Sequence, residues 1–199
     1  MAPAVTKKAS ADSVVKLFKD QKSWDAWLDK HAESSPGLWL RVAKKSAKLK
    51  SVTHAEALEV ALCHGWIDGQ RKALDGESFL QKFTPRRSKS IWSKINRTKA
   101  LELIEAGRMR PTGHAAIERA RQSGLWEAAY DSHRTAVVPE DLAAALEKSP
   151  RAKAFFQTLN SQNRYAILFR VQTAKRIETR KRRIENFVAM LESHRKLYP

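Results

Sequence analysis

Residues 66–85 read WIDGQRKALDGESFLQKFTP, and this stretch decides the fold of the first half of the chain. Two runs of strand-like composition flank Asp75-Gly76, a dipeptide that is typical of tight β-hairpin turns. Pro85 ends the second run, because proline has no N–H group to donate within a sheet. The stretch therefore predicts an antiparallel hairpin.

The sequence before the hairpin contains one further strand signal and two helix signals. Residues 38–44, LWLRVAK, alternate apolar side chains in a way that predicts a strand. Thr53 and Glu56 fit a capping box, which predicts the start of a helix that Gly65 ends. The apolar spacing of residues 13–31 predicts another helix.

The sequence after the hairpin is dominated by helical periodicity, with breaks at Pro139 and Pro150. The predicted helices cover residues 90–106, 113–123, 139–148, 150–159, 162–175 and 177–193.

These patterns predict an α+β protein that is predominantly helical, with a small antiparallel sheet and helices in the N-terminal part. An all-helical unit follows. We expect a flexible tail at residues 1–11, an α+β domain at 12–131 and a helical domain at 132–199. A chain of 199 residues buries roughly 70% of its unfolded surface, so it needs neither a metal nor a disulfide for stability.

The single cysteine, Cys63, excludes an intramolecular disulfide and fits a reducing compartment. The N-terminal residues lack the apolar run of a secretory signal, and no stretch is long enough to span a bilayer. We therefore expect a cytoplasmic protein. The six histidines have no metal-ligand spacing, and the sequence contains no glycine-rich phosphate loop, no G-x-S-x-G and no H-E-x-x-H motif. We therefore expect no metal site and no cofactor, and we identify no catalytic residue set.

Positive charge is the strongest compositional feature, at a net +17. It is concentrated in three windows, residues 34–55 with +5, residues 81–100 with +7 and residues 164–183 with +7. A local excess of this kind favours cationic patches over a general solubilising charge.

Residues 81–100, QKFTPRRSKSIWSKINRTKA, combine basic and aromatic side chains and include no acid. Nucleic-acid backbones attract Lys and Arg, and aromatic rings stack on bases. We therefore predict contacts to phosphates from this window, with Trp92 as the aromatic partner. The alternative is a solvated basic face with Trp92 in the core. The predicted cationic contacts are Arg86, Arg87, Lys89, Lys94 and Arg97.

The helix predicted at 177–193 has an apolar arc that contains Ile177 and Leu191. Arg180 lies inside this arc and Arg183 on its border, and a buried arginine requires a carboxylate or a bound anion. Lys181 and Arg182 lie outside it. We predict that all four join the phosphate contacts if the two basic regions converge. The same helix resembles a membrane-surface helix, although docking on its own core explains the arc as well.

Asp68 lies in the apolar string GWIDG, where strand alternation places it on the same side as Trp66. We hypothesise that its carboxylate is buried and paired with an arginine such as Arg86 or Arg180.

Several strings, taken in order, make the chain resemble the bacteriocin-protection, YdeI/OmpD-associated family from about Trp24 to the C-terminus. The C-terminal domain of that family would cover roughly residues 137–196. The resemblance implies protection against bacteriocins or other antimicrobial peptides, association with an envelope protein and, for some members, a periplasmic location. It implies no catalytic residues. The strings are GWIDG (65–69), FTPRRSKSIWSKIN (83–96), AGRMRPTG (106–113), AAYD (128–131), PEDLAAAL (139–146) and AKRIETRKRRI (174–184).

Three functions fit the sequence. The favoured one is non-enzymatic binding of a polyanion, with nucleic acid as the partner. The second is envelope protection through a protein or lipid partner. The third is an enzyme acting on a small anion in a pocket between GWIDG, FTPR and TRKRR. The residues expected to be structural or to line such a pocket are Trp66, Asp68, Gly69, Thr84, Pro85, Ser93 and Asn96.

Overall fold

The computed structural model describes residues 14–199, so the tail expected at residues 1–11 lies outside the described residues. The chain divides into two compact units. The described part of the first unit is residues 14–92 and 96–128, and the second unit is residues 93–95 and 129–199. No helix within residues 14–199 combines the length and the apolar character needed to cross a lipid bilayer.

The predicted α+β class, with helix as the main component, is confirmed. The elements of the described chain are β1 (Val15–Lys16), α1 (Gln21–His31), β2 (Leu38–Ala43), α2 (His54–Cys63), β3 (Trp66–Ala73), β4 (Ser78–Pro85), α3 (Lys94–Glu105), α4 (Pro111–Gln122), α5 (Glu140–Glu147), α6 (Pro150–Thr158), α7 (Ser161–Gln172) and α8 (Ile177–Glu192).

The sheet of the first unit has the strand order β1-β2-β4-β3. The predicted hairpin is confirmed as β3 and β4, with a register shift between Asp68 and Arg71. Gln81 lies opposite this irregularity and donates from Nε2 to the carbonyl of Gly69 at 3.0 Å. The sheet is mixed rather than purely antiparallel, because β1 pairs with β2 in parallel.

The helix expected at residues 13–31 is shorter than predicted and begins at Gln21. Asp20 caps it, since one Asp20 carboxylate oxygen accepts from the Ser23 N–H at 2.8 Å. The β-branched Val15 belongs to β1 instead. The second helix follows the prediction, with Thr53 and Glu56 forming the capping box of α2.

The core of the first unit lies between one face of the sheet and helices α1 and α2. Trp24 is fully buried and donates from its indole nitrogen to the Ala57 carbonyl at 3.1 Å. The residues that share this core are Leu28, Leu38, Leu40, Val42, Val52, Val60, Trp66, Phe79 and Phe83.

The last residue of α2 and the turn after it, together Cys63–Gly65, contact three neighbouring elements. Two main-chain carbonyl groups and the His64 side chain make these contacts. The Gly65 carbonyl accepts from the Arg86 N–H at 2.9 Å, and the Cys63 carbonyl accepts from the Arg110 N–H at 3.1 Å. Gly65 has a φ of +71°, a conformation that favours glycine. A Cβ atom at Gly113 would lie 2.2 Å from the Cys63 carbonyl oxygen. The start of α4 therefore approaches this turn more closely than any side chain at residue 113 permits.

His64, in the middle of this turn, is buried against α1. Its Nε2 lies 2.8 Å from a carboxylate oxygen of Asp25 and 3.9 Å from one of Asp29. Arg110 contacts the same two carboxylates from its Nη2, at 3.0 and 3.6 Å. Burial raises the pKa of Asp25, but the hydrogen bonds from His64 and Arg110 outweigh it and hold that pKa below its ordinary value.

The second unit packs helices α5 to α8 around its own core. The buried Asn163 accepts from the Tyr198 N–H at 2.9 Å and donates to the Tyr198 carbonyl at 3.2 Å, which fixes the C-terminal segment. Ile177, expected in the apolar arc of α8, is 68% exposed because it occupies the first position of the helix, beyond the packed part of the arc. The core residues are Leu142, Leu146, Ala152, Phe156, Ile167, Leu168, Val171, Ile184, Phe187 and Leu191.

The close approach at Gly113 gives a stability prediction. Gly113→Ala should lower the free energy of unfolding by about 1–3 kcal/mol, because the added methyl group collides with backbone that cannot move freely. Urea unfolding of the purified variant measures this. Gly76→Ala is the control, since a Cβ atom there meets nothing within 4 Å. Equal stability of the two variants would contradict the packing described.

The pairing of Asp25 gives a second prediction. Asp25→Asn should lower the free energy of unfolding by about 1–2 kcal/mol at neutral pH, because charge-assisted hydrogen bonds are lost. A depressed folded-state pKa stabilises the fold above the ordinary value of 3.8, and that stabilisation is lost as the pH falls through the folded-state pKa. The free energy of unfolding of the variant should therefore change less as the pH falls through the acid range than that of the parent. Asp29→Asn, farther from His64, should have the smaller effect, and the reverse ranking would refute the assignment.

Candidate anion-binding cleft

One of the phosphate contacts predicted in residues 81–100, Arg86, and the predicted aromatic partner, Trp92, are buried in the first unit. Arg86 is 6% exposed, and its guanidinium carbon lies 3.5 Å from the centroid of the Trp92 ring. Its Nη1 donates to the Ile91 carbonyl at 3.2 Å. Trp92 is 2% exposed. The alternative placement of Trp92 in the core is therefore confirmed, and Arg86 is enclosed with it.

The remaining predicted contacts of this window divide into two bound and two exposed side chains. Lys94 forms an ion pair with Asp131 at 2.8 Å, and its hydrogen bond is the main cause of the lowered pKa of Asp131. Arg97 donates to the Trp126 carbonyl at 3.1 Å. Arg87 and Lys89 are exposed.

The arginines of α8 show the same division. Arg180 makes two hydrogen bonds to Asp141, at 2.6 and 2.8 Å, which confirms the prediction of an internal carboxylate partner. This pairing is the main cause of the lowered pKa of Asp141. Arg183 donates to the carbonyl of Arg170. Lys181 and Arg182 are exposed, and the convergence of residues 81–100 and 164–183 into one surface stays a prediction.

Asp68 differs from its hypothesised role. Its side chain is 26% exposed, and one carboxylate oxygen lies 3.0 Å from Nε2 of His54 at the start of α2. The predicted full burial is therefore wrong, and Arg180 pairs with Asp141 instead. The predicted strand alternation is confirmed. In the register of β3 and β4, Trp66 pairs with Pro85 and Asp68 pairs with Phe83, so Trp66 and Asp68 lie on the same face of the sheet.

The other residues expected to be structural or to line a pocket have structural contacts. The Trp66 indole donates to the Ala32 carbonyl at 3.0 Å. Thr84 and Pro85 pair with the start of β3, whereas Gly69 lies in its irregular part. Ser93 forms an isolated bridge with Tyr130. Asn96 lies in the first turn of α3, which begins four residues later than predicted.

A cavity with a strongly cationic lining lies elsewhere in the first unit, and we name it the cationic cleft. It has a volume of about 810 Å³. Its charged and titratable lining residues are Lys19, Lys44, Lys45, Lys50, His54 and Arg71, and its apolar lining residues are Val42, Ala43, Ala47, Leu49, Ala55 and Phe79, with Ser51 and Thr53 completing it.

The loop between β2 and α2 forms much of the cleft, and main-chain contacts hold it in place. The Ala43 N–H donates to Oγ of Ser51 at 2.8 Å, and the Val52 N–H donates to the Phe18 carbonyl at 2.9 Å. The Lys44 N–H donates to the Glu77 carbonyl at 2.8 Å. Lys44, Lys45 and Lys50 are therefore carried by a segment that is fixed to its neighbours at both ends.

The charge of the cleft is one-sided, since its lining contains five Lys or Arg residues and no carboxylate. Within residues 14–199, Lys19, Lys45 and Lys50 make no ion pair. Lys44 donates from Nζ to the Asp75 carbonyl at 2.8 Å, while the Asp75 carboxylate bonds Arg41 at 2.9 Å. This arrangement attracts anions, because nearby cations of one sign raise the local potential.

Sequence reasoning identified residues 34–55 as basic but assigned no site to them. The signal was the string KKSAKLK at 44–50, which lacks the aromatic residues that drew attention to residues 81–100. The other contributors, Lys19, Arg71 and Phe79, are far from this string along the chain, and only the sheet brings them to it.

One group of side chains has the composition of a metal site. Asp25, Asp29 and His64 each place one ligand atom within 4.8 Å of the others. Sequence spacing missed this group because its members come from α1 and from the turn after α2. Arg110 already contacts both carboxylates and His64 bonds Asp25, so the group is a satisfied ion-pair network.

The division between bound and exposed arginines in α8 is testable. Arg180→Gln should lower the free energy of unfolding by about 1–2 kcal/mol, since it removes a two-bond contact to Asp141 and a bond to the Val171 carbonyl. Arg182→Gln removes the same charge from an exposed position and should change stability by less than about 0.5 kcal/mol. Thermal unfolding of both variants decides, and equal losses would contradict a structural role for Arg180.

Comparison with known families covers both parts of the chain. Residues 16–116 match a family described as a domain of unknown function (DUF8412). Residues 135–194 match the OmdA family, described as bacteriocin-protection, YdeI or OmpD-associated. Neither the curated proteins nor the solved structures include a match to this chain. The chain therefore belongs to the family described as a domain of unknown function (DUF8412), and its residues 135–194 match an OmdA domain of the bacteriocin-protection, YdeI or OmpD-associated type.

Proposed function

We propose that this protein is a non-enzymatic polyanion-binding protein that takes nucleic acid at the cationic cleft. The observation that carries the proposal is the gathering of five Lys or Arg residues around one cavity that no carboxylate lines. Phosphodiester backbones bind such arrangements because each phosphate that a cation neutralises releases a condensed counterion. The proposal places the protein in the cytoplasm, together with nucleic acid.

Three lysines of the cleft that make no ion pair within residues 14–199 support the proposal of nucleic-acid binding. Lys and Arg residues that support a fold are paired with carboxylates or carbonyls, as Lys94 and Arg180 are. Lys19, Lys45 and Lys50 are exposed and line the same cavity. Binding of an anion relieves the electrostatic repulsion between these three side chains. The exposed Arg87 and Lys89 belong to the same unit and add to its positive field.

The family match favours a second candidate function. Its description names bacteriocin protection and association with OmpD, so an envelope protein or lipid is the alternative partner. Under this alternative the protein co-fractionates with membranes and gives no complex with DNA or RNA at low salt. Under our proposal a nucleic-acid complex forms and weakens steeply with salt.

The proposal predicts a defined salt dependence. Four phosphate contacts, one from each lysine of the cleft, give a slope of about −2.8 in log K against log salt for a single strand, so affinity should fall about 50-fold between 50 and 200 mM salt. Fluorescence anisotropy with a labelled oligonucleotide measures this. The double variant Lys45→Gln, Lys50→Gln should reduce the slope by about 1.4, because two contacts are lost.

The matched control removes the same charge from exposed residues of α8. Lys181→Gln with Arg182→Gln should leave the slope within experimental error of the parent, since neither residue lines the cleft. A control that loses affinity while the cleft variant retains it would move the binding site to α8. Absence of binding to any DNA or RNA at low salt would end the proposal.

A further inference from the structure

We infer that the cationic cleft selects single-stranded nucleic acid over duplex by stacking an unpaired base on Arg71. This inference rests on the proposed function and specifies its ligand. Three features of the cleft carry it: the cleft has the volume of a small-ligand site, apolar residues contribute to its lining, and it presents a guanidinium group that already lies on an aromatic ring.

The size of the cleft separates the two forms of nucleic acid. A volume of about 810 Å³ lies within the range of sites that enclose small molecules, which is roughly 300–1,000 Å³. A duplex keeps its bases paired and stacked inside and presents phosphates on its outer surface. It therefore reaches the lysines at the mouth of the cleft but places nothing inside. An extended single strand can turn a base inward while its phosphates stay at the mouth.

The apolar part of the lining offers what a base needs and a phosphate does not. Ala43, Ala47 and Leu49 contribute half-buried apolar surface to the lining, beside the buried Val42 and Phe79. A purely electrostatic site for phosphates gains nothing from such a surface, because the anion stays hydrated and avoids it. A base gains from leaving water for an apolar surface, so the combination of exposed cations and half-buried apolar residues fits a nucleotide whose base is unpaired.

Arg71 provides the stacking surface. Its guanidinium carbon lies 3.6 Å from the centroid of the Phe79 ring, so one face of the planar group rests on that ring. Arg71 is exposed and Phe79 is buried, which leaves the second guanidinium face uncovered by Phe79. Arginine planes stack on unpaired bases. A base on this face would extend the stack of Phe79 and Arg71 while a neighbouring phosphate meets Lys45 or Lys50.

Three probes of equal length test the inference by fluorescence anisotropy. They are a labelled single strand of about twelve nucleotides, the same strand in a duplex, and an abasic strand that keeps the phosphates but lacks the bases. The single strand should bind at least about tenfold more tightly than either of the others at matched salt. A mononucleotide added as competitor distinguishes strand binding from capture of free nucleotides, and only the former survives a modest excess of competitor.

Arg71→Lys is the decisive variant, because it keeps the positive charge and removes the planar group. It should lower affinity for the single strand to that for the abasic strand and leave the abasic affinity unchanged. Equal binding of single strand, duplex and abasic strand by the parent protein overturns the inference while leaving the proposed function intact. Full retention of the preference by Arg71→Lys also overturns it. Absence of binding to all three probes removes the proposed function itself.

Discussion

The first unit depends on the main chain of one short turn, Cys63–Gly65. Two of its carbonyl groups accept the N–H groups of Arg86 and Arg110, and they thereby connect the end of β4 and the start of α4. This contact is possible only because Gly113 lacks a side chain where α4 meets the turn. Helix α2 runs from the cationic cleft to this turn, so the contacts at its C-terminal end also fix the helix whose first residues line the cleft.

A large positive charge does not by itself describe a binding surface. The fold uses several of its cations internally, as Arg86 on Trp92, Arg97 on the Trp126 carbonyl and Arg180 on Asp141 show. Arginine suits such positions because its planar group combines several hydrogen bonds with a stacking face. The lysines of the cleft are different, since they are short of carboxylate partners among the described residues. An anion therefore gains the most binding free energy at cations that have no carboxylate partner among the described residues.

The sequence predicted the features that local chemistry decides. Asp75-Gly76 located the hairpin, Thr53 with Glu56 located the start of α2, and the periodicity after residue 90 located the helices of both units. It predicted a carboxylate or a bound anion for Arg180, because an arginine on an apolar arc must be compensated, and the carboxylate is the partner found. The sequence pattern did not predict β1, because a strand of two residues that pairs in parallel with β2 leaves almost no periodic signal.

The site was harder to predict, because it depends on neighbours that are distant along the chain. His54 rather than an arginine meets Asp68, and the contributors to the cleft come from before α1, from the loop after β2 and from both strands of the hairpin. A charge window identifies a basic segment without saying which side chains share a cavity. The aromatic residue that attracted attention, Trp92, lies in the core because hydrophobic burial outweighs any use of its ring at the surface.

The central claim is that nucleic acid binds at the cationic cleft, and its most direct test is a map of backbone amide shifts by nuclear magnetic resonance during titration with a single-stranded oligonucleotide. The account predicts that the largest shifts occur at residues 44–55 and at Arg71, with saturation at a single affinity. Large shifts at Lys181 and Arg182, with residues 44–55 unchanged, would contradict it.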